Sequence, residues 1–216
     1  MLGRPDAAAD LPALRDHVEA YLTEDDLLVS ARESAARSGC IPVSPGAGAG
    51  LRFLAATISA RAVVEIGTGT GVSGLWLLRG MVGDGVLTSI DVDPEHQRTA
   101  RASFTAAGYG PSRLRLINGM GLEVLPRLTD AGYDLVFVDA AASDHPRYLD
   151  EAVRLLRVGG IVVLAGVLDG GVVDPEAADT GTLALREVAR QVREDDRLVP
   201  VLLPLGDGLL AAVKTA

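Results

Sequence analysis

The run VVEIGTGTG at residues 63–71 constrains this chain more than any other stretch. It carries an acidic residue, Glu65, along an apolar segment straight into a loop with Gly67, Gly69 and Gly71. Val63, Val64 and Ile66 suit a parallel strand buried on both faces, and the glycines permit φ > 0 and close approach of backbone N–H groups to a ligand. VSGLWLLRGM at 72–81 then reads as a helix. Strand, glycine loop and helix in that order make a nucleotide-binding turn; its bland alternative is a tight connection with no ligand.

The glycines do not name the nucleotide, because Gly69, Gly71 and Gly74 also satisfy the G-x-G-x-x-G spacing of a dinucleotide site. Glu65 tilts the choice. A carboxylate two residues before the first glycine repels a pyrophosphate and suits a cationic ligand such as S-adenosylmethionine, which carries a sulfonium and an amino group but no phosphate. A second acid, Asp91 in LTSIDVDPEH, ends the next strand, the place from which ribose hydroxyls are held in doubly wound folds.

Helical and β-rich runs alternate from residue 62. Strands are expected at 62–66, 86–90, 113–117, 134–138, 159–165, 198–203 and 208–214, with helices at 72–81, 94–107, 121–129, 146–157 and 178–194. Alternation of this kind predicts an α/β, doubly wound, seven-stranded sheet, mostly parallel, with helices on both faces. Gly206-Asp207-Gly208 lies between LVPVLLPL and LLAAVK as a hairpin-type turn, so the C-terminal strand should run antiparallel to the rest. Two or three helices in residues 10–59 precede the sheet. They read as an N-terminal helical cap, 1–59, within a single domain spanning 1–216.

Composition narrows the partners. A net charge of −9 argues against a nucleic-acid substrate, because phosphate binding relies on clustered Lys and Arg, so the expected partner is a small molecule. Cys40 is the single cysteine, which precludes an internal disulfide, and its plain reading is a small packed residue. The start, MLGRPDAAADLPAL, lacks a basic stretch followed by an apolar one, and the longest apolar run, IVVLAGVL, is too short to span a bilayer. A cytoplasmic protein with no membrane partner is the expectation.

Taken together, EIGTGTGVSGLWL, IDVDPEH, GPSRLRLINGMGLEVLP, YDLVFVDA, LLRVGG and PLGDGLLAAVK resemble the caffeoyl-CoA and catechol O-methyltransferase family, in order and spacing, from about residue 24 to the end. The resemblance implies a Rossmann-like fold, S-adenosyl-L-methionine as cofactor and a homodimer. It places Val43, in IPVSP, at the methionine end of the cofactor, although a Pro-bounded linker explains that segment equally well. Glu65, Gly67 and Thr68 are expected to line the methionine portion. Ser73 matches the position that binds the cofactor carboxylate, where helix N–H groups favour an anion, and it is equally readable as an N-cap. Asp91 should hold the ribose, Val92 the adenine, and Gly119 and Met120 should border the base. Trp76 is expected in the core rather than against the sulfonium.

In catalysis the chain departs from its relatives. They hold a divalent metal with Asp-Ala-Asp-Lys after the fourth strand and Asp-Asn after the fifth, whereas these segments read Asp139-Ala140-Ala141-Ala142 and Ala165-Gly166. One carboxylate with waters makes a feeble Mg²⁺ site, and Asp169 falls beyond the strand end, so no catalytic metal is expected. Asp139 remains a candidate for cofactor contact and for catalysis. His145, in SDHPRYL, is a candidate general base, against the plain reading of a surface residue at a helix start. His17 and His96 read as surface residues.

Three functions stay open. They are a metal-independent O-methyltransferase acting on a small phenolic acceptor, a non-catalytic protein that keeps the S-adenosylmethionine pocket, and, resting only on the glycine spacing, a nicotinamide-dependent oxidoreductase. The first is favoured because the cofactor motifs are intact.

Overall fold

A computed structural model describes residues 10–168 and 170–216, so the reading of Asp169 and of the first nine residues lies outside it. Three helices come first, α1 (Leu11–Glu19), α2 (Asp26–Ser38) and α3 (Pro45–Thr57). Asp25 and Ser44 cap the latter two, accepting from the N–H groups of Leu28 and Ala47. Then follow β1 (Ala62–Ile66), α4 (Val72–Gly80), β2 (Val86–Asp91), α5 (Pro94–Ala106), β3 (Leu114–Asn118), α6 (Gly121–Val124), β4 (Tyr133–Val138), α7 (His145–Leu155), β5 (Leu156–Ala165), α8 (Gly170–Val173), α9 (Thr180–Glu194), β6 (Leu198–Leu203) and β7 (Leu209–Lys214).

The strands form one seven-stranded sheet in the order β3-β2-β1-β4-β5-β7-β6. β1 to β5 pair in parallel, and β7 runs antiparallel to both β5 and β6. The hairpin turn at 206–208 therefore reverses the last strand as its glycines suggested.

Successive strand residues feed opposite faces, as the period of two requires. On one face Val63, Leu87, Leu135, Phe137 and Val163 pack with Leu28 and Ala31 of α2, Leu51 and Ala55 of α3, and Leu75 and Trp76 of α4. On the other, Val64, Val136, Val138, Val162 and Leu164 meet Leu149 and Val153 of α7 and Leu185 and Val188 of α9. The N-terminal helices thus share a core with the sheet. Trp76 is 2% exposed within it, and its indole donates to Glu24 at 3.2 Å.

Two elements depart from expectation. α6 stops at Val124 and continues as a 3₁₀ turn, Leu125–Arg127, because Pro126 cannot extend the α-helical ladder. β5 begins at Leu156, pairing with Tyr133 before its register shifts, so α7 ends at Leu155.

Candidate cofactor and acceptor site

Strand order reverses at β1, whose neighbours β2 and β4 leave in opposite directions, and a crevice opens at the carboxyl ends of these strands. A cavity of about 350 Å³ lies there. Gly67, Thr68, Ser73, Asp91, Val92, Gly119, Met120 and Asp139 line it.

Backbone hydrogen bonds pin its floor. The Gly67 N–H donates to Ile90 O at 2.9 Å, Asp139 N–H to Ile66 O at 2.8 Å, and Gly119 N–H to Asp91 O at 2.9 Å. Gly67 sits at φ +95°, and a Cβ there would lie 1.9 Å from the Asp139 carbonyl oxygen. Only glycine lets the β1 and β4 loops approach this closely. The Asp91 carboxylate accepts from the N–H groups of Gly69 and Asp93, each at 2.9 Å, and is thereby fixed at the cavity wall. Val92 and Met120 are exposed apolar flanks, at 65% and 55%.

Three expectations are corrected. Glu65 is fully buried beneath the glycine loop and does not reach the wall. Its two oxygens accept from Ser73 Oγ at 2.6 Å and Ser89 Oγ at 2.5 Å. Burial, with a smaller push from Asp139 and Asp91, raises its carboxyl to about 7 against the pull of the two hydroxyls. Ser89 also shares a hydrogen bond with Thr68, and Gln97 donates to Thr68 Oγ1 at 3.0 Å, so Glu65 anchors the network that carries Thr68 and Ser73. Ser73 lies inside α4, whose N-cap is Gly71, and is not a cap.

Val43 is the second. Its side chain packs against the core, and the cavity is instead bordered by Cys40, Ile41 and Pro42 from the segment before α3. Pro45 and the Ser44 cap start the helix two residues later and turn Val43 inward.

His145 is the third. It is 2% exposed and absent from the cavity wall, with Nδ1 3.3 Å from Ala141 O and Nε2 3.2 Å from Ala165 O. Burial lowers its pKa, partly opposed by the carbonyls. It ties the loop after β4 to the end of β5, its neutral ring donating to one of the two carbonyls, and it does not line the cavity.

Cys40 and His96 are among the wall residues that the sequence did not assign to the site. Cys40 lies where a Cβ on Gly69 would be 2.9 Å from its Sγ, and burial raises its thiol pKa. His96, read as a surface residue, lines the cavity, 3.8 Å from Asp91 and 3.9 Å from Asp93. Its position two residues after Pro94, on the first turn of α5, aims it back at the β2 end, a signal present in IDVDPEH.

On the acceptor side, Asp139 is followed by Ala140 and Ala141 in the wall, and Ala165 and Gly166 end β5. Among the described residues no group of three or more His, Cys, Asp or Glu is placed to hold a metal ion. The donor set does not fit Mg²⁺, which needs several hard oxygens in octahedral array. Enclosure, followed by the charge of Asp207, raises the Asp139 carboxyl to about 6.

Residues 19–215 match the model of a protein family described as O-methyltransferase. A relative from Mycolicibacterium vanbaalenii, which carries the name of an O-methyltransferase, is 56% identical over 98% of this chain and 95% of its own length. Among solved structures, the Streptomyces achromogenes O-methyltransferase TomG, in complex with S-adenosylmethionine, is similar with a TM-score of 0.84 and 29% identity, covering 94% of this chain and 96% of its own. The Bacillus cereus O-methyltransferase in complex with S-adenosylhomocysteine has the same TM-score at 25% identity, with 94% and 97% covered. A glycine loop, a carboxylate at the end of β2 and a reversed terminal hairpin, joined to these likenesses, place the chain: it belongs to the O-methyltransferase family.

Proposed function

We propose that this O-methyltransferase transfers the methyl group of S-adenosylmethionine to the hydroxyl of a small phenol without a catalytic metal. The observation that carries the reading is the asymmetry of the cavity: the cofactor half keeps its polar groups, while the strand ends where relatives hold metal present one carboxylate among alanines. The cofactor complexes of TomG and the Bacillus cereus enzyme support the choice of ligand. So does a wall without Lys or Arg, which suits a phosphate-free, positively charged nucleoside. Asp91 would hold the ribose, Val92 and Met120 the adenine, Gly67 and Thr68 the methionine chain, and Ser73 with the α4 N-terminus the carboxylate.

S-adenosylmethionine supplies, when bound, a methyl group on a positively charged sulfur open to in-line displacement. The chain has then to orient an oxygen and take its proton. Orientation alone is worth up to ~7–11 kcal/mol in well-aligned reactions. Asp139 is the group placed for the proton: raised to about 6, it stays ionised at neutral pH and is a stronger base than an ordinary carboxylate.

Chelator-treated protein should methylate members of a phenol panel, read by mass spectrometry. Asp139→Asn should lower kcat by a factor of about 10²–10⁴ while cofactor affinity changes little. Turnover that appears only after Mg²⁺ is added would sink the metal-free reading, and cofactor binding with no turnover of any phenol would favour a protein that kept the pocket and lost the chemistry. The same proposal takes 1–216 as one domain, acting as a homodimer in the cytoplasm, and sedimentation of the purified chain tests the dimer.

A further inference from the structure

We infer that Tyr148 recognises the adenine of the cofactor, its hydroxyl forming a hydrogen bond with one polar atom in the plane of the base. The inference rests on the cofactor seat proposed above and adds to it a contact outside the residues assigned there.

The observation behind it is a buried tyrosine with a free hydroxyl. Tyr148 lies on the first turn of α7, whose start His145 pins to Ala141 O and Ala165 O. Its side chain is 6% exposed and belongs to the apolar cluster that holds Ile66, Ile90 and Leu125, yet it also lines the cavity. Gly121 gives the ring its place: a Cβ there would stand 2.8 Å from Tyr148 Cε1 and 2.9 Å from Oη. Among the described residues no protein group forms a hydrogen bond with that oxygen, and Gln191 Oε1 is the one partnerless side-chain atom sealed from solvent. The Tyr148 hydroxyl therefore opens on the cavity. A buried tyrosine ordinarily finds a partner for its O–H, and one left free in a cavity wall is available to a ligand.

Other hydroxyls of the wall are already engaged. Thr68 shares a hydrogen bond with Ser89 at 2.7 Å, Thr70 donates to Ala31 O at 2.9 Å and Ser73 donates to Glu65 at 2.6 Å. Position decides which part of the cofactor Tyr148 meets. Gly121 directly follows Gly119 and Met120, the residues proposed to border the base, so contact with Gly121 sets the ring on the β3 side of the cavity. Ala165 and Asp207, at the acceptor end, lie beyond β4 in the sheet order. Ile90, Val92 and Met120 in the same wall suit the faces of a flat heteroaromatic ring but leave its edge unmatched. That edge carries ring-nitrogen acceptors and an amine donor, and a rotatable hydroxyl can answer either. Burial and then the Asp144 carboxylate hold the Tyr148 hydroxyl above its usual pKa, against the pull of Arg147, so it keeps the proton it would donate.

S-adenosylhomocysteine and analogues that each lack one polar atom of the base test this: the 1-deaza, 3-deaza and 7-deaza rings, and the purine without its amine. Calorimetry gives their Kd values for the parent and for Tyr148→Phe, which keeps the ring and removes only the hydroxyl. Tyr148→Phe should bind S-adenosylhomocysteine about 3–10-fold more weakly, the size of one neutral hydrogen bond. Toward one analogue, the one without the partner atom, the substitution should cost nothing, and toward the others it should cost its full factor. Unchanged affinity of Tyr148→Phe for S-adenosylhomocysteine overturns the inference and leaves the cofactor seat standing. An equal loss toward every ligand also overturns it, because a general loosening of α7 gives that result. A parent that does not bind S-adenosylhomocysteine defeats the seat itself, and this contact with it.

Discussion

Glu65 shows what a residue's type reveals and what it conceals. Its carboxylate before the glycine loop was legible, and so was the exclusion of phosphate. Its direction was not, since a strand side chain points to one face or the other and only the partners decide which. Those partners were in the sequence: Ser73 eight residues on, and Ser89, which lies opposite Glu65 in the β1–β2 register. Two serine hydroxyls converging on one carboxylate give a buried, proton-sensitive post under the site. The consequence for stability has a definite sign. With its pKa raised from an ordinary 4.5 to about 7 in the folded chain, Glu65 binds its proton more firmly folded than unfolded. Its contribution is therefore complete below about pH 4.5 and is lost as the pH rises through 7. Glu65→Gln should flatten this dependence, removing a loss on the order of 3 kcal/mol between pH 5 and 8.5, as read by urea unfolding at the two pH values. A variant with the parent's slope would show that Glu65 is ionised in the fold. His145 is the reverse lesson: a His before a Pro at a helix start looked exposed or catalytic, and the loop from Ala141 and the end of β5 buried it instead.

Element boundaries were legible wherever period and punctuation agreed, as in AVVEI, in Pro94 at the start of α5, and in the glycine-flanked hairpin before β7. They slipped where tertiary pairing overrode local pattern, as when Leu156 joined the sheet instead of prolonging α7. The contact between α3 and α4 was hidden for a different reason. GAGAG reads as a poor helix former, yet its glycines are what let α3 lie against its neighbour: a Cβ on Gly48 would stand 2.3 Å from the Trp76 ring. Helices normally keep their axes about 8–10 Å apart according to the side chains between them, and Gly48 gives the indole its room. Gly48→Ala should thus lose about 1–3 kcal/mol by forcing the indole or the helix to move, despite alanine's better helix propensity. Chemical denaturation measures the difference, and a stabilised variant would mean that α3 shifts without penalty.

For the whole molecule, a net charge of −9 argues against a nucleic-acid substrate, but it does not say whether the N-terminal helices stand apart from the sheet. The core does. Leu28, Ala31, Leu51 and Ala55 pack among the same residues as Val63 and Phe137, and Cys40, Ile41 and Pro42 line the same cavity as Asp91 and Asp139. A ligand held between them should couple the helices to the strands. Trp76 is the one tryptophan of the chain and lies in that shared core, so its fluorescence reports on cap docking while far-ultraviolet circular dichroism reports on all elements. The two signals should unfold together, as expected of a single cooperative unit. Both midpoints should rise with S-adenosylmethionine, by a stabilisation of ~2.7 kcal/mol at a hundred times its Kd, in the presence of chelator. If fluorescence changes at lower denaturant than dichroism, the helices form a separate unit. If the midpoints move only once a divalent ion is added, the cavity is not preorganised for the cofactor and its carboxylates await a metal after all.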